Sequence, residues 1–203
     1  MRIKICGITN YEDAKLCCDL GADALGFIFT EKSKRRVSIN DAKEIINKLP
    51  VFVGKIGVFV NEDLNTINHI SRETKLTGVQ LHGEGTSEFA ESVNLPVIKT
   101  FRINSRFNFS VLQQYHSCKF LLDTYSSEEY GGTGHSFNWN IIPAELRNQI
   151  ILAGGISIDN IEHVFTIIKP DAVDLSSSVE KYPGKKDEVK LKNFFQKINS
   201  LRR

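Results

Sequence analysis

Cysteine is scarce in this 203-residue chain: Cys6, Cys17, Cys18 and Cys118 are the only four, and none form a C-x-x-C pair. No cysteine–histidine spacing of the zinc-binding kind accompanies them, so neither a metal-ligating motif nor a disulfide framework is expected. Charge of one sign is lacking too. Lysine and arginine number 26 against 24 aspartate and glutamate, a formal net of +2, which calls for neither nucleic acid nor an anionic membrane as partner. No apolar run approaches the ~20 residues that span a bilayer. The first residues, Met1-Arg2-Ile3-Lys4-Ile5, run straight into a strand-like segment with no signal-peptide pattern. A reduced, cytoplasmic protein is the expectation.

What is present is ordinary globular material, 41% hydrophobic and 25% charged, enough for one substantial core. Short apolar runs recur at Ile3–Cys6, Ala24–Phe29, Val51–Val60, Gly78–Leu81, Val97–Phe101, Phe120–Asp123, Ile150–Ala153 and Ala172–Leu175. Most are continuous rather than alternating, as strands covered on both faces require. Helix signals separate them. Asn10 is a candidate N-cap for Tyr11–Leu20 and Gly21 its stop; Asn61 precedes a helix over Glu62–Thr74. Further helices are expected over Asp41–Lys48, Ser87–Val93, Phe107–Tyr115, Ile141–Asn148, Ile158–Ile168 and Asp187–Ile198. Eight strands, each followed by one helix, predict a single-domain α/β fold over residues 1–203. The fold class is an eight-stranded parallel (β/α)8 TIM barrel, with brief helices and loops to suit the short chain.

In such a barrel, chemistry gathers where the strands end. Cys6 ends the first strand, followed by Gly7. Unlike Cys17 and Cys18, which fall inside a helix, it faces the mouth, where a thiolate serves as nucleophile or base. Asp123 follows three apolar residues at the tip of strand six, a costly place for a carboxyl group without a function. His82 ends strand four and is expected to position substrate. Three glycine- or serine-rich turns, Gly131-Gly132-Thr133-Gly134, Ala153-Gly154-Gly155 and Asp174-Leu175-Ser176-Ser177-Ser178, follow strands six to eight. Exposed backbone N–H groups in adjacent loops there suit a phosphate. The basic run Lys32–Arg36, taken alone, reads as a solvated loop.

With these residues in place, the chain resembles the phosphoribosylanthranilate isomerases of tryptophan biosynthesis. The matching segments are Lys4-Ile5-Cys6-Gly7-Ile8-Thr9, Gly26-Phe27-Ile28-Phe29, Ser33-Lys34-Arg35, Gly57-Val58-Phe59-Val60-Asn61 and Val79-Gln80-Leu81-His82-Gly83. They continue with Leu122-Asp123-Thr124, Gly131-Gly132-Thr133-Gly134, Leu152-Ala153-Gly154-Gly155, Asp174-Leu175-Ser176-Ser177 and Pro183-Gly184-Lys185-Lys186-Asp187, spanning nearly the whole chain in order. Ser178 departs from the pattern, standing where the family usually has glycine.

The resemblance implies an Amadori rearrangement of N-(5-phosphoribosyl)anthranilate, with Asp123 as general acid and Cys6 as general base. It places Arg35 on the substrate, through the anthranilate carboxylate, and His82 and Asp174 as further substrate-binding residues. The phosphate falls to Gly132, Gly154, Gly155, Ser176 and Ser177. Asp123 is expected to hold its proton through desolvation and Cys6 to lose its own to nearby positive potential. The imine nitrogen acidifies the C2 proton, so no metal and no organic cofactor are implied. The partner is a small sugar phosphate, and the chain is expected as a monomer or a homodimer. Other phosphate-binding barrels fit less well. An indole-glycerol-phosphate synthase needs a Lys/Glu constellation at its strand tips, and a pentose-phosphate epimerase paired aspartates with metal-binding histidines. A non-catalytic sugar-phosphate binder has no use for the Cys6–Asp123 pair.

Overall fold

The computed structural model describes residues 1–124 and 137–202. Eight strands close into a parallel barrel in sequence order: β1 (Arg2–Cys6), β2 (Ala24–Ile28), β3 (Gly54–Val60), β4 (Gly78–His82), β5 (Val97–Ile103), β6 (Lys119–Thr124), β7 (Ile150–Leu152) and β8 (Ala172–Leu175). β1 pairs with β8 in parallel, Lys4 opposite Asp174, and this seam closes the sheet. The expected strands correspond one to one with these eight. The main difference is at residues 51–53, which form a turn before β3, with Val51 and Phe52 exposed. Among the described residues no helix is long and apolar enough to cross a membrane.

The outer layer departs from strict alternation. Helix α1 (Tyr11–Leu20) carries the expected caps. Asn10 accepts from the Asp13 amide, and Gly21 closes the helix in the left-handed region at φ 100°. Helices α2 (Ile39–Ile46) and α3 (Leu64–Thr74) begin at Ser38 and Asp63, whose side chains accept from Asp41 and Thr66 amides. Asn61 is therefore no helix cap. Its backbone is left-handed (φ 49°), and its Oδ1 accepts from the Glu84 amide at 3.0 Å, tying the loop after β3 to the loop after β4. A Cβ on Gly83 would sit 1.9 Å from that oxygen, so only glycine fits there.

Short helices follow: α4 (Ser87–Glu91), α5 (Ala144–Arg147) and α6 (Ile161–His163), which runs on as a π turn over Val164–Ile168. The segment after β5 is a 3₁₀ helix, Phe109–Gln114, in place of the expected α-helix. Phe107 and Tyr115, on either side of it, both pack edge-on against Phe101, so aromatic packing covers the barrel where a longer helix would. After β8 the chain makes an antiparallel hairpin, β9 (Glu180–Tyr182) and β10 (Lys185–Lys186), which the sequence pattern does not announce. Helix α7 (Glu188–Leu201) then closes the fold, capped by Asp187 and packed against α1.

The core includes Ile3, Ile5, Leu25, Phe27 and Leu122 from the strands, and Leu191, Phe194, Phe195 and Ile198 from α7. Phe194 and Phe195 meet edge to face at 6.0 Å, both buried. Truncation at Phe194 leaves a cavity that a rigid barrel wall cannot collapse into. Phe194→Ala is expected to lower unfolding stability by about 3–5 kcal/mol, read from the midpoint of denaturant unfolding.

Candidate active site

The C-terminal ends of the strands open into a cavity of about 1120 Å³. Cys6, Arg35, His82, Asp123, Gly154, Gly155, Asp174, Ser176 and Ser177 all lie on its wall. The tenth expected site residue, Gly132, lies outside the described residues, as does the rest of its turn. Barrel closure is what gathers the others, since β1, β4, β6, β7 and β8 each deliver one strand tip to a common rim.

Cys6 is 7% exposed, and its Sγ lies only 2.7 Å from where a Cβ on Gly26 of the neighbouring strand would stand. Gly26 therefore makes room for the thiol. The expectation that positive surroundings lower this thiol needs correction. Burial pushes Cys6 up from 9.0, and Lys4 and Lys186 only partly offset it. Desolvation of the thiolate outweighs two ammonium groups because the carboxylate of Asp174 acts against them.

Asp123 lines the same cavity as Cys6, 7% exposed, with its Oδ1 accepting from the Thr124 amide at 2.8 Å. Burial pushes its carboxyl up to about 6, in the expected direction. Gly154 is in close contact with it. A Cβ there would stand 2.2 Å from Thr124 Oγ1 and 3.0 Å from Asp123 Oδ1, at a backbone φ of 79°. This glycine is thus demanded by the neighbouring strand tip as well as by any anion.

Asp174 sits on the same wall. Its Oδ2 is bonded to Lys4 Nζ at 2.8 Å, and both side chains are nearly buried. Its Oδ1 is buried with no hydrogen-bond partner among the described residues. Burial and three nearby cations leave His82 uncharged, its ring pushed down to about 3 by burial and by Lys4, Lys99 and Arg102. The Gln80 amide lies 2.7 Å from His82 Nε2 and also donates to Thr100 Oγ1. With the amide as donor, the neutral ring carries its proton on Nδ1, a buried atom without a partner among the described residues. The ring is a fixed donor.

Arg35 does not stand free. Its guanidinium clasps the Glu180 carboxylate, Nε and Nη2 lying 3.0 and 2.9 Å from its oxygens. Lys186 Nζ, fully buried, reaches the same carboxylate at 2.9 Å and the Cys6 carbonyl at 2.6 Å. Two cations and one anion leave this corner with a net positive charge. Nearby, Asn160 Nδ2 donates to the Gly155 carbonyl at 2.7 Å and its Oδ1 accepts from Ser157, bracing the Gly154-Gly155 turn. Both glycines have positive φ, 79° and 71°. Ser178 Oγ is buried in the adjoining turn with no partner among the described residues.

Sequence reasoning missed Lys4, Gln80, Glu180 and Lys186. Lys4 and Gln80 had a readable signal, since each stands two residues before a chosen strand tip and so faces the same side. Lys186 falls in a matching segment, Pro183–Asp187, but nothing in the sequence ties it or Glu180 to Cys6, because the hairpin that brings them in is set by tertiary contacts.

The raised Asp123 carboxyl has a stability consequence. Its folded value of about 6 exceeds the ordinary 3.8, so the fold is favoured by the protonated form. That advantage is complete below 3.8 and is lost as pH rises through 6, a swing on the order of 3 kcal/mol. Asp123→Asn, which keeps the acceptor for Thr124, is expected to raise Tm by several degrees at pH 7 and by little at pH 4. Equal gains at both pH values would contradict a buried, strained carboxylate.

Comparison with known proteins gives the family. The family model described as N-(5'phosphoribosyl)anthranilate (PRA) isomerase matches residues 3–197. The N-(5'-phosphoribosyl)anthranilate isomerase of Pelobacter propionicus is 46% identical over 197 residues, covering 97% of this chain and 94% of that one. The crystal structure of the phosphoribosyl anthranilate isomerase from Thermus thermophilus superposes with a TM-score of 0.89 at 37% identity, covering all of both chains. A further isomerase, crystallised with reduced 1-(o-carboxyphenylamino)-1-deoxyribulose 5-phosphate, gives a TM-score of 0.84 at 36% identity over 98% of this chain and 99% of that one. A closed eight-stranded barrel carrying a buried thiol, a proton-holding carboxyl and a cationic corner on one wall belongs, on this likeness, to the phosphoribosylanthranilate isomerase family.

Proposed function

We propose that the chain converts N-(5-phosphoribosyl)anthranilate to 1-(2-carboxyphenylamino)-1-deoxyribulose 5-phosphate, the family's step in tryptophan biosynthesis, with Asp123 as acid and Cys6 as base. The observation that carries this reading is that the two groups line one cavity at the ends of the strands. Asp123, pushed up to about 6, keeps a usable proton near neutral pH. It donates that proton to the ribose ring oxygen as the C1–O bond breaks and the nitrogen lone pair forms the C1 iminium. The thiolate of Cys6 then takes the C2 proton. The C–H electron pair becomes the C1–C2 double bond, and the iminium electrons return to nitrogen. The resulting enolamine loses its enol proton and gains one at C1, giving the ketone.

The other residues bind and orient. Arg35 takes the anthranilate carboxylate, since the Arg35–Glu180–Lys186 cluster keeps one positive charge in excess. His82 donates from Nδ1 and Asp174 accepts at Oδ1, both unpaired by the described protein atoms, and sugar hydroxyls match that pair. Gly154, Gly155, Ser176 and Ser177 receive the phosphate, with Gly132 contributing from the turn after β6. The Ser178 hydroxyl adds a donor where the family usually has none. The four unpaired thiols suit a reducing compartment, the cytoplasm.

A fluorescence assay of phosphoribosylanthranilate consumption tests the roles. Cys6→Ser and Asp123→Asn should each lose at least about a hundredfold in kcat with the fold intact; near-normal turnover in either would refute its role. Arg35→Ala should act mainly on kcat/KM, and an unchanged value would count against carboxylate binding. Gly154→Ala, which pushes into Asp123 and Thr124, should fall in kcat as well as in phosphate affinity. With the acid near 6 and the thiol above 9.0, the productive form is a minor reverse-protonated population. The pH profile of kcat/KM should therefore rise to about 6, run level, and fall only where the raised thiol titrates.

A further inference from the structure

Lys4 is a fully buried lysine between two buried isoleucines of β1, and the acid–base scheme above leaves it unused. It stands two residues before Cys6 on β1, so both side chains point into the barrel. Its Nζ is bonded to Asp174 Oδ2 at 2.8 Å across the β1–β8 seam, and its positive charge favours the thiolate of Cys6, which projects from the same face of β1. Lys186, the second ammonium near Cys6, is committed elsewhere. Its donors go to the Cys6 and Ser176 carbonyls and to Glu180.

We propose that Lys4 is a positioning residue for the known reaction. Its ammonium, shared between Asp174 and Cys6, sets how readily Cys6 becomes thiolate, and Asp174 holds that ammonium back. The proposal rests on the reading of Cys6 as the base. Asp174 plays two opposed parts at the thiol. It keeps Lys4 charged and in place, yet its own negative charge disfavours a second anion beside it. A substrate hydroxyl that engages Asp174 Oδ1 spreads that negative charge and frees Lys4 to favour the thiolate. Substrate binding then prepares the base that will use it. The other titratable groups around this corner are His82 on β4 and Asp123 on β6, which both sense Lys4 and Arg102, His82 also sensing Lys99, with Lys186, Glu180 and Arg35 behind Cys6. His82 is neutral and the last three are locked to one another, so among the charges acting on Cys6 itself the Lys4–Asp174 pair is the adjustable element.

The test is the pH dependence of Cys6 alkylation by iodoacetamide, with Cys6 resolved from Cys17, Cys18 and Cys118 by peptide mass spectrometry. Lys4→Met should move the midpoint up by about one pH unit or more, and Asp174→Asn should move it down. The double variant Lys4→Met/Asp174→Asn, which removes both charges from the seam and so leaves no unpaired ion, should lie above wild type and below Lys4→Met. Lys4→Arg should stay close to wild type. A role in folding alone would not drive the two single variants in opposite directions. Coincident midpoints, or a downward shift in Lys4→Met or in the double variant, would overturn the proposal. Full turnover by Cys6→Ser would instead overturn the reading of Cys6 as base, and it is measured independently of alkylation.

Discussion

The ion pair between Lys4 and Asp174 sits where the sheet closes on itself. Their Cα positions face each other in the β1–β8 register, so this pair lies at the first and last strands of the barrel. Two charges buried this deeply are tolerable only in each other's company, and removing one alone typically costs about 3–5 kcal/mol. The seam therefore has one low-energy alignment. That alignment sets the height of Cys6 at the end of β1 and of the Ser176-Ser177 turn beyond β8, on opposite sides of the joint.

A second buried cluster fixes the corner behind Cys6. Glu180, on β9, holds Arg35 from the loop after β2 and Lys186 from β10. Asp13 of α1 anchors the same hairpin, accepting from Lys185 Nζ and the Lys186 amide, while Thr9 bonds the Gly184 carbonyl. Parts of the chain more than 140 residues apart are thus tied at one point beside the thiol. The cluster leaves one positive charge in excess, and an anionic substrate group completes it better than solvent does.

The fold favours the protonated form of both reacting groups relative to water. Burial raises the Asp123 carboxyl and the Cys6 thiol alike, so the acid is helped and the base is hindered. A dry site is needed for the first effect, and the second follows from it. The lysine beneath Cys6 partly relieves that conflict, while Gly26 and Gly154 keep space for the two groups by having no side chain of their own. Catalytic geometry here is maintained by small residues and buried ions rather than by the loops alone.

Much of this was legible in the chain. Eight apolar runs marked the eight strands, because a strand buried on both faces must be apolar throughout, and polar residues at their ends marked the rim. The helix expected after β5 is a short 3₁₀ segment, which carries no lasting 3.6-residue stripe, and the one expected after β6 is the four-residue α5. Asn61 precedes the third helix, yet Asp63 caps it. The sequence by itself determined which strands exist, that they alternate with covering segments, and which residue types crown them. Only the tertiary structure decided how charge is shared among them. Lys4 meets Asp174, and Glu180 meets Arg35 and Lys186, through closure and a hairpin that join distant segments. Desolvation, which raised Cys6 against expectation, depends on the density of atoms around a group, and no local run of residues encodes that.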